Sequence, residues 1–338
     1  MIVRTRLSAW FAVLRARLPG RTRLADTDAA RIAIGRPDSD RGRSCGAKYR
    51  RTDETAVRPR PAPDIASGYR VAVATPASRY MIGASAPLLA FLIALPAFAG
   101  RGFIQELVFV FYMLALAQYW NLLAGYAGLV SIGQQAFVGL GAYLLFALTI
   151  SAGLDPLLAI VVAGLVTGLV ALPTALVVFR LRGAYFAIGT WVVAEVFRLV
   201  FAQVKQLGGG TGMSLPISVT NQTAIIKSIQ ALFNVKASAG RDILTYWIAL
   251  ALAGGTILLV YFVLRSRHGL ALAAIRDSDE AAESLGVDNF KVKLWVYIVT
   301  AMGSGMTGAL IYFQKARISP DAAFSVLDWT ANVIFVVV

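Results

Sequence analysis

The chain is 338 residues long, 58% hydrophobic and only 15% charged, with a mean hydropathy of +0.68. A soluble globular domain is nearer a quarter charged, so this composition excludes one and specifies an integral membrane protein. The formal charge of +14 is uneven: residues 1–80 hold 17 Lys+Arg against 7 Asp+Glu, and residues 81–338 hold 15 against 11. The basicity therefore belongs to a tail and is not a nucleic-acid footprint.

The tail, residues 1–80, has one lysine among its basic residues and no sustained periodicity, which predicts a disordered cytosolic segment. Its opening, MIVRTRLSAWFAVLRARL, fits a short basic amphipathic helix on a membrane surface. Seven acidic residues before position 65 argue against a mitochondrial-type presequence, and no apolar run follows the first arginines as a secretory signal requires. Met81 is an alternative start. Cys45 is the single cysteine, so no intrachain disulfide or cysteine-rich metal site forms. His268, the single histidine, lies in RSRHG with no catalytic motif around it.

From Met81 onward, apolar segments recur at lengths suited to a hydrocarbon core of ~30 Å, about 20 residues each. They fall at 83–100, 104–124, 132–151, 157–178, 185–204, 245–264 and 293–313. An eighth begins near Val326 and stops at FVVV, which predicts a continuation, because backbone in lipid needs a completed helix. The pattern predicts an all-α polytopic bundle of about eight spans; barrel strands would alternate over about ten residues. Span parity puts the tail, 125–131, 179–184 and 265–292 on one side, and the tail's arginines make that side cytosolic. Within the spans, GLVTG (164–168) and GSGMTGA (303–309) repeat small residues at four-residue spacing, which predicts close helix packing.

GLVSIGQQ (128–135) has phosphate-loop spacing, but Gln134 stands where lysine is required and an apolar helix follows, so it predicts no nucleotide site. Glu195 and Arg198 lie three residues apart within one span, on neighbouring helix positions. Ionisable groups there are costly in lipid. They form either a mutually neutralised pair facing the bundle interior or part of a polar pathway. Asn121, Gln134 and Gln135 are uncharged candidates for the same lining.

AIRDSDEAAESLGVD (274–288) packs five acidic residues and one arginine into fifteen positions. A helical wheel places Ala271, Ala274, Ile275, Ser278, Ala282 and Leu285 on one face, and Arg276, Asp277, Asp279, Glu280 and Glu283 on the other. Asp277 is expected to cap the helix and Gly286 to end it. A narrow small-residue face opposite an acidic one predicts docking in a partner's groove.

The stretch from Ser266 to Phe324 resembles the permease subunits of bacterial branched-chain amino acid ABC importers. Three further stretches match in family order: WNLLAGYAGLVSIGQQAFVGLGAY (120–143), RLRGAYFAIGTWVVAEVFRLV (180–200) and LGGGTGMSLP (207–216). Within that family the chain is similar to the M-type permease. The resemblance implies that 274–288 is the loop that docks on the cytosolic ATPase subunits, with Glu280, Ala281, Ala282 and Gly286 matching residue by residue. Arg276, Asp277 and Leu285 belong to the same contact. Leu129 and Ala184 depart from the usual pattern, and nothing in the family resembles residues 1–80.

The expected assembly pairs this chain with a homologous permease, two ATP-binding subunits that hold the ATP, and an external solute-binding protein, in the bacterial inner membrane. The chain itself is expected to hold no cofactor or metal and to catalyse no reaction. Leucine, isoleucine or valine is the substrate the resemblance implies; urea, short amides and aromatic acids remain open. An ATP-independent channel or secondary carrier is the alternative class, and inverted-repeat broken helices would be its better signature.

Overall fold

Helices follow the apolar runs. The computed structural model describes residues 76–216 and 236–337, together with Ile226, Ser228 and Ile229. The expected disordered tail, residues 1–80, lies outside the described residues up to 75, while its last five residues, 76–80, open the first helix. Helix α1 (Pro76–Ala94) continues into a 3-10 turn, Leu95–Ala97. Helix α2 (Arg101–Trp120) widens at its end into a π-helical segment, Asn121–Tyr126. There follow α3 (Gln134–Ser151), α4 (Pro156–Val178), α5 (Ala184–Gln203) and a short strand β1 (Met213–Ser214). Beyond it come α6 (Ala237–Arg265), α7 (Arg267–Asp277), α8 (Asp279–Ser284) and α9 (Asn289–Lys315). Strand β2 (Arg317–Ile318), α10 (Pro320–Ala323), a second π-helical segment (Val326–Ala331) and α11 (Asn332–Val337) complete the described chain.

Among the described residues, seven helical stretches are long and apolar enough to cross a membrane. They are Arg101–Tyr126, Gln134–Ser151, Pro156–Val178, Ala184–Gln203, Ser238–Arg265, Asn289–Lys315 and Pro320–Val337. The all-α polytopic bundle expected from sequence is thus present. The apolar helix answering to 83–100 is Gly83–Ala97, with Pro87 inside it. It is the apolar part of α1, whose 19 residues and following 3-residue turn together reach ~33 Å at 1.5 Å per residue, the scale of a ~30 Å core.

The local chemistry explains the boundaries. Asp155 accepts from the Leu157 N–H at 2.9 Å and Pro156 starts α4, a cap followed by a residue with no N–H to orphan. Gly183, at φ +56, makes the left-handed turn between α4 and α5.

Successive crossings place alternate connections together. The near end of the bundle carries 127–133, 179–183 and 266–288; the far end carries 152–155, 204–216 and 316–319. At the far end β1 and β2 pair antiparallel, Met213 opposite Ile318. Nearby, the buried Asp242 carboxylate accepts from Arg101 Nε at 2.5 Å and Gln105 Nε2 at 3.0 Å, so its charge is answered. At the near end Phe179 meets Phe290 edge-on, ring centroids 5.8 Å apart.

Helix α9 is the central element and packs most heavily against α3 and α4. The small-residue stretches meet as expected: Thr167 lies against Gly305, and Gly164 and Gly168 admit Met306 and Met302. Gly308 lies against the Val138 carbonyl, and Gly141 against that of Gly305, so α3 and α9 touch backbone to backbone. Two apolar cores result. The larger, around Phe111, Tyr143, Phe146, Leu310 and Phe313, lies towards the far end. The smaller, around Leu123, Phe137, Val178 and Tyr297, lies towards the near end.

Candidate translocation and coupling sites

The two cores meet at a polar seam. Gln134, the first residue of α3, is buried deep in the bundle and donates from Nε2 to the Leu116 carbonyl and to Ser304 Oγ, both at 3.1 Å. Ser304 lies near the middle of α9, and Leu116 well inside the span Arg101–Tyr126. The connection 127–133 therefore folds back into the bundle, and α3 begins at mid-depth.

That fold-back is held by hydrogen bonds. Trp120 Nε1 donates to the Ser131 carbonyl at 2.9 Å, the Ile132 N–H to Thr190 Oγ1 at 3.2 Å, and the Gly133 N–H to Ser131 Oγ at 3.2 Å. Irregular backbone at membrane depth survives only where such partners exist. The π-helical turn 121–126 comes just before the fold-back, and π turns favour functional sites.

Between Tyr119, Trp120, Ser131, Gln134, Thr300 and Ser304 lies a cavity of about 10 Å³, with Leu123 and Phe137 closing its sides. That volume admits one water. A carbonyl only accepts, so the Leu116 contact fixes the Gln134 amide with its nitrogen there and its oxygen opposite. Gln134 Oε1 is buried without a partner, and leaving such an acceptor dry costs about 1–3 kcal/mol.

Gln135 is fully buried and exchanges hydrogen bonds with Thr330: its N–H donates to Thr330 Oγ1 at 3.3 Å, and its Oε1 accepts from the Thr330 hydroxyl. It ties α3 to the second π turn and does not line the cavity. Asn121 is half-buried at the start of the first π turn, beside Trp120 and also outside the lining. Of the three uncharged candidates, the structure brings only Gln134 to the cavity. Tyr119, Ser131, Thr300 and Ser304 drew no attention in the sequence as site residues. Their signal is slight: Ser304 sits in GSGMTGA, which reads as packing alone.

Glu195 and Arg198 do pair, with Arg198 Nε at 2.9 Å and Nη2 at 2.5 Å from Glu195 Oε1. Arg198 Nη1 also meets Asp321 Oδ1 on α10 at 2.6 Å. The pair is thus a bracket of two carboxylates around one guanidinium. The side chains of Arg198, Glu195 and Asp321 are 30%, 46% and 79% exposed. Of the two expected arrangements, the neutralised pairing forms, but the cluster faces outward from this chain, towards the far end, and not into its interior. Helix α5 is itself mostly uncovered, with Ile188, Trp191, Val196 and Leu199 about half exposed.

The near-end excursion differs from its expected form. A short helix capped by Asp277 and ended by Gly286 was expected; it forms, but the cap is the next residue, Ser278, whose backbone is extended (φ −163, ψ 122). Asp277 ends α7, and Ser278 Oγ accepts from the Ala281 N–H at 3.3 Å to cap α8. A hydroxyl with extended backbone suits an N-cap, and the following Asp279 and Glu280 suit the positive helix end. Gly286, at φ +85, closes α8 as expected; its N–H reaches the Glu283 carbonyl and the Val287 N–H that of Ala282.

The break at Ser278 redistributes the wheel. Ala282 is buried at 1% exposure within the chain, so it is not on an open docking face. Arg276, Asp277, Glu280 and Ala281 are exposed, and Leu285 stands out at 79%.

The pair of helices is fastened to the bundle. Lys293 Nζ contacts both oxygens of Asp279, and Asn289 Nδ2 donates to the Asp279 carbonyl at 2.8 Å and to Glu283 Oε1 at 3.3 Å. Asp288 caps α9 by accepting from the Lys291 N–H at 3.1 Å. The Lys291 ammonium beside it holds its carboxyl below the usual carboxylate range.

A bundle of apolar crossings with a polar seam at mid-depth, and a helix pair standing off one end, defines a multi-pass membrane transport subunit. A family model described as the permease component of the branched-chain amino acid transport system matches residues 102–338, and the chain belongs to that family. It is similar to the high-affinity branched-chain amino acid transport system permease protein LivM of Salmonella typhimurium, 27% identical over 246 residues. The protein of the same name from Escherichia coli is 26% identical over 246 residues. Each alignment covers 70% of this chain and 58% of the relative, so the chain spans under two thirds of the relatives' length. No solved structure matches significantly.

Proposed function

We infer that this chain is the membrane permease of an ATP-driven importer for branched-chain amino acids, acting with a homologous permease, two ATP-binding subunits and an external solute-binding protein. The observation that carries the reading is the helix pair 267–284. It presents Leu285 and the acidic residue Glu280 outward, and is fastened to α9 through Asp279 and Asn289. A partner that moves this pair moves α9, and with it the Ser304–Gln134 contact at mid-depth. A solvated loop would need neither the fastening nor the exposed leucine.

In this reading the near end faces the cytosol of a bacterial inner membrane, and ATP is held by the partner subunits. Arg276, Asp277, Glu280, Ala281 and Leu285 form the contact, Gly286 shapes it and Ala282 supports it from within. Gln134 lines the path, Gln135 braces it, and Asn121 stands beside the turn that opens it. Glu195 and Arg198, with Asp321, lie on the face that meets protein or a wet path, because ionisable groups are costly against lipid.

The test is uptake of labelled leucine into proteoliposomes holding the assembled importer and loaded binding protein. ATP-dependent uptake supports the reading. Uptake that continues without ATP moves the chain to the channel or carrier class. Uptake of urea, an amide or an aromatic acid in place of leucine moves it to a sister permease.

A further inference from the structure

We propose that the mid-depth cavity is a transit site that takes an N–H donor of the passing solute, with Gln134 Oε1 as its acceptor. The proposal rests on the permease reading above and deepens it. Three observations converge on the cavity. It lies where the two apolar cores meet, Trp120 belonging to the larger and Leu123 and Phe137 to the smaller. It is reached by the fold-back 127–133, which breaks the regular run of the spans. And it contains an acceptor, 93% buried with its residue, that no group among the described residues answers.

The chemistry of the lining selects the ligand. The backbone donors nearest the start of α3 are already engaged: Gly133 N–H by Ser131, Gln135 N–H by Thr330 and Ala136 N–H by the Gly133 carbonyl. The hydroxyls of Ser131, Ser304 and Tyr119, each already accepting, keep a rotatable O–H that is a neutral donor. The group the lining leaves without any partner is an oxygen acceptor, beside Tyr119, Trp120 and Phe137. An ammonium or amide N–H answers that acceptor; a carboxylate, with no hydrogen to donate, leaves it unpaired. The present volume admits only a water, so this conformation holds the site closed, and a larger group enters when α9 shifts relative to α2 and α3.

The donor has more than one source, the α-ammonium of an amino acid or the N–H of urea or an amide, and the experiment separates them. In the full chain with its partner subunits in membrane vesicles, Cys45→Ser removes the native thiol and Thr300→Cys places one in the lining. The cysteine is then challenged with methanethiosulfonates bearing an ammonium, a neutral hydroxyl or a sulfonate, with and without ATP. The ammonium reagent is expected to react roughly tenfold or more faster than the sulfonate, a factor set by about one buried polar contact. Leucine, urea or acetamide, whichever the importer carries, is expected to slow it.

Gln134→Leu is expected to erase the ammonium preference. Gln134→Glu, of similar shape and still an acceptor, is expected to keep or steepen it. No modification in any state, equal rates for the two charged reagents, or a preference untouched by Gln134→Leu would overturn the proposal. The two readings fail separately: leucine uptake without the preference removes only the site, and the preference without amino acid uptake removes only the importer assignment.

Discussion

Lys293 holds Asp279 by both carboxylate oxygens, at 2.8 and 2.9 Å, across fourteen residues of chain. Together with the Asn289 amide on the Asp279 carbonyl, this fixes α8 to the first turns of α9. Asp279 is more than half exposed, so the ion pair is worth at most about 1 kcal/mol in stability. Its value is positional. Combining Lys293→Met with Asn289→Ala is expected to leave the amount of protein in the membrane unchanged and to lower ATP-driven uptake by roughly 5-fold or more, the scale of a typical coupling energy. Co-purification with the ATPase subunits is expected to persist while hydrolysis loses its response to loaded binding protein. Uptake at the wild-type rate in the double variant would make the fastening ornamental.

Ala282 and Leu285 are expected to behave in opposite ways. Ala282 is enclosed by its own chain, so Ala282→Trp overpacks a closed site, at about 1–3 kcal/mol, and membrane abundance falls. Leu285 has no such enclosure, so Leu285→Glu leaves abundance intact. If docking buries the leucine, its loss removes about 1.5–3 kcal/mol of association, tenfold or more in affinity. Quantitative blots of the membrane fraction and pull-down of the ATPase subunits separate the two effects. Unchanged pull-down with Leu285→Glu would place the contact elsewhere.

The Arg198 bracket makes the two partners unequal. Glu195→Gln leaves the guanidinium paired with Asp321, so only a modest loss is expected. Arg198→Gln leaves two carboxylates facing one another, the costlier state near lipid. Assembly with the homologous permease, read by native gel, is expected to fall more for Arg198→Gln than for Glu195→Gln. Adding Asp321→Asn and Glu195→Gln to Arg198→Gln is expected to restore it in part. Equal losses in both single variants would instead indicate separate roles.

How much of this was legible beforehand depends on the range of the interaction. The spans were legible because apolar length is a local property, and Gly286 because a left-handed turn after an acidic helix is written in adjacent residues. Glu195 and Arg198 were visible as neighbours three apart, but Asp321, 123 positions away from Arg198, was not. The seam was only half visible. Gln134 stands out as an amide at the head of an apolar helix, whereas its partners Leu116 and Ser304 are brought to it by tertiary packing alone. The cap of α8 was placed one residue early, at Asp277, because an aspartate and a serine cap equally well and only the extended backbone at Ser278 separates them.

The tightest constraint on the seam is the approach of α3 to α9. At Gly308 an added methyl would strike the Val138 carbonyl, and at Gly141 the carbonyl of Gly305; neither is a side chain that rotates away. Gly308→Ala and Gly141→Ala must therefore push the helices apart. At Gly254 on α6 nothing lies within 4 Å, so Gly254→Ala meets no obstacle and gains helix propensity. Overpacking of this kind costs about 1–3 kcal/mol. Detergent-solubilised Gly308→Ala and Gly141→Ala are expected to aggregate at lower temperature than the wild type, and Gly254→Ala at the same temperature or higher. Displacing α9 from α3 also lengthens the Gln134–Ser304 hydrogen bond, so the two destabilised variants are expected to admit the ammonium reagent at Thr300→Cys without ATP. Thermal shifts alike at all three glycines would show that the close approach of α3 and α9 is not what holds the seam shut.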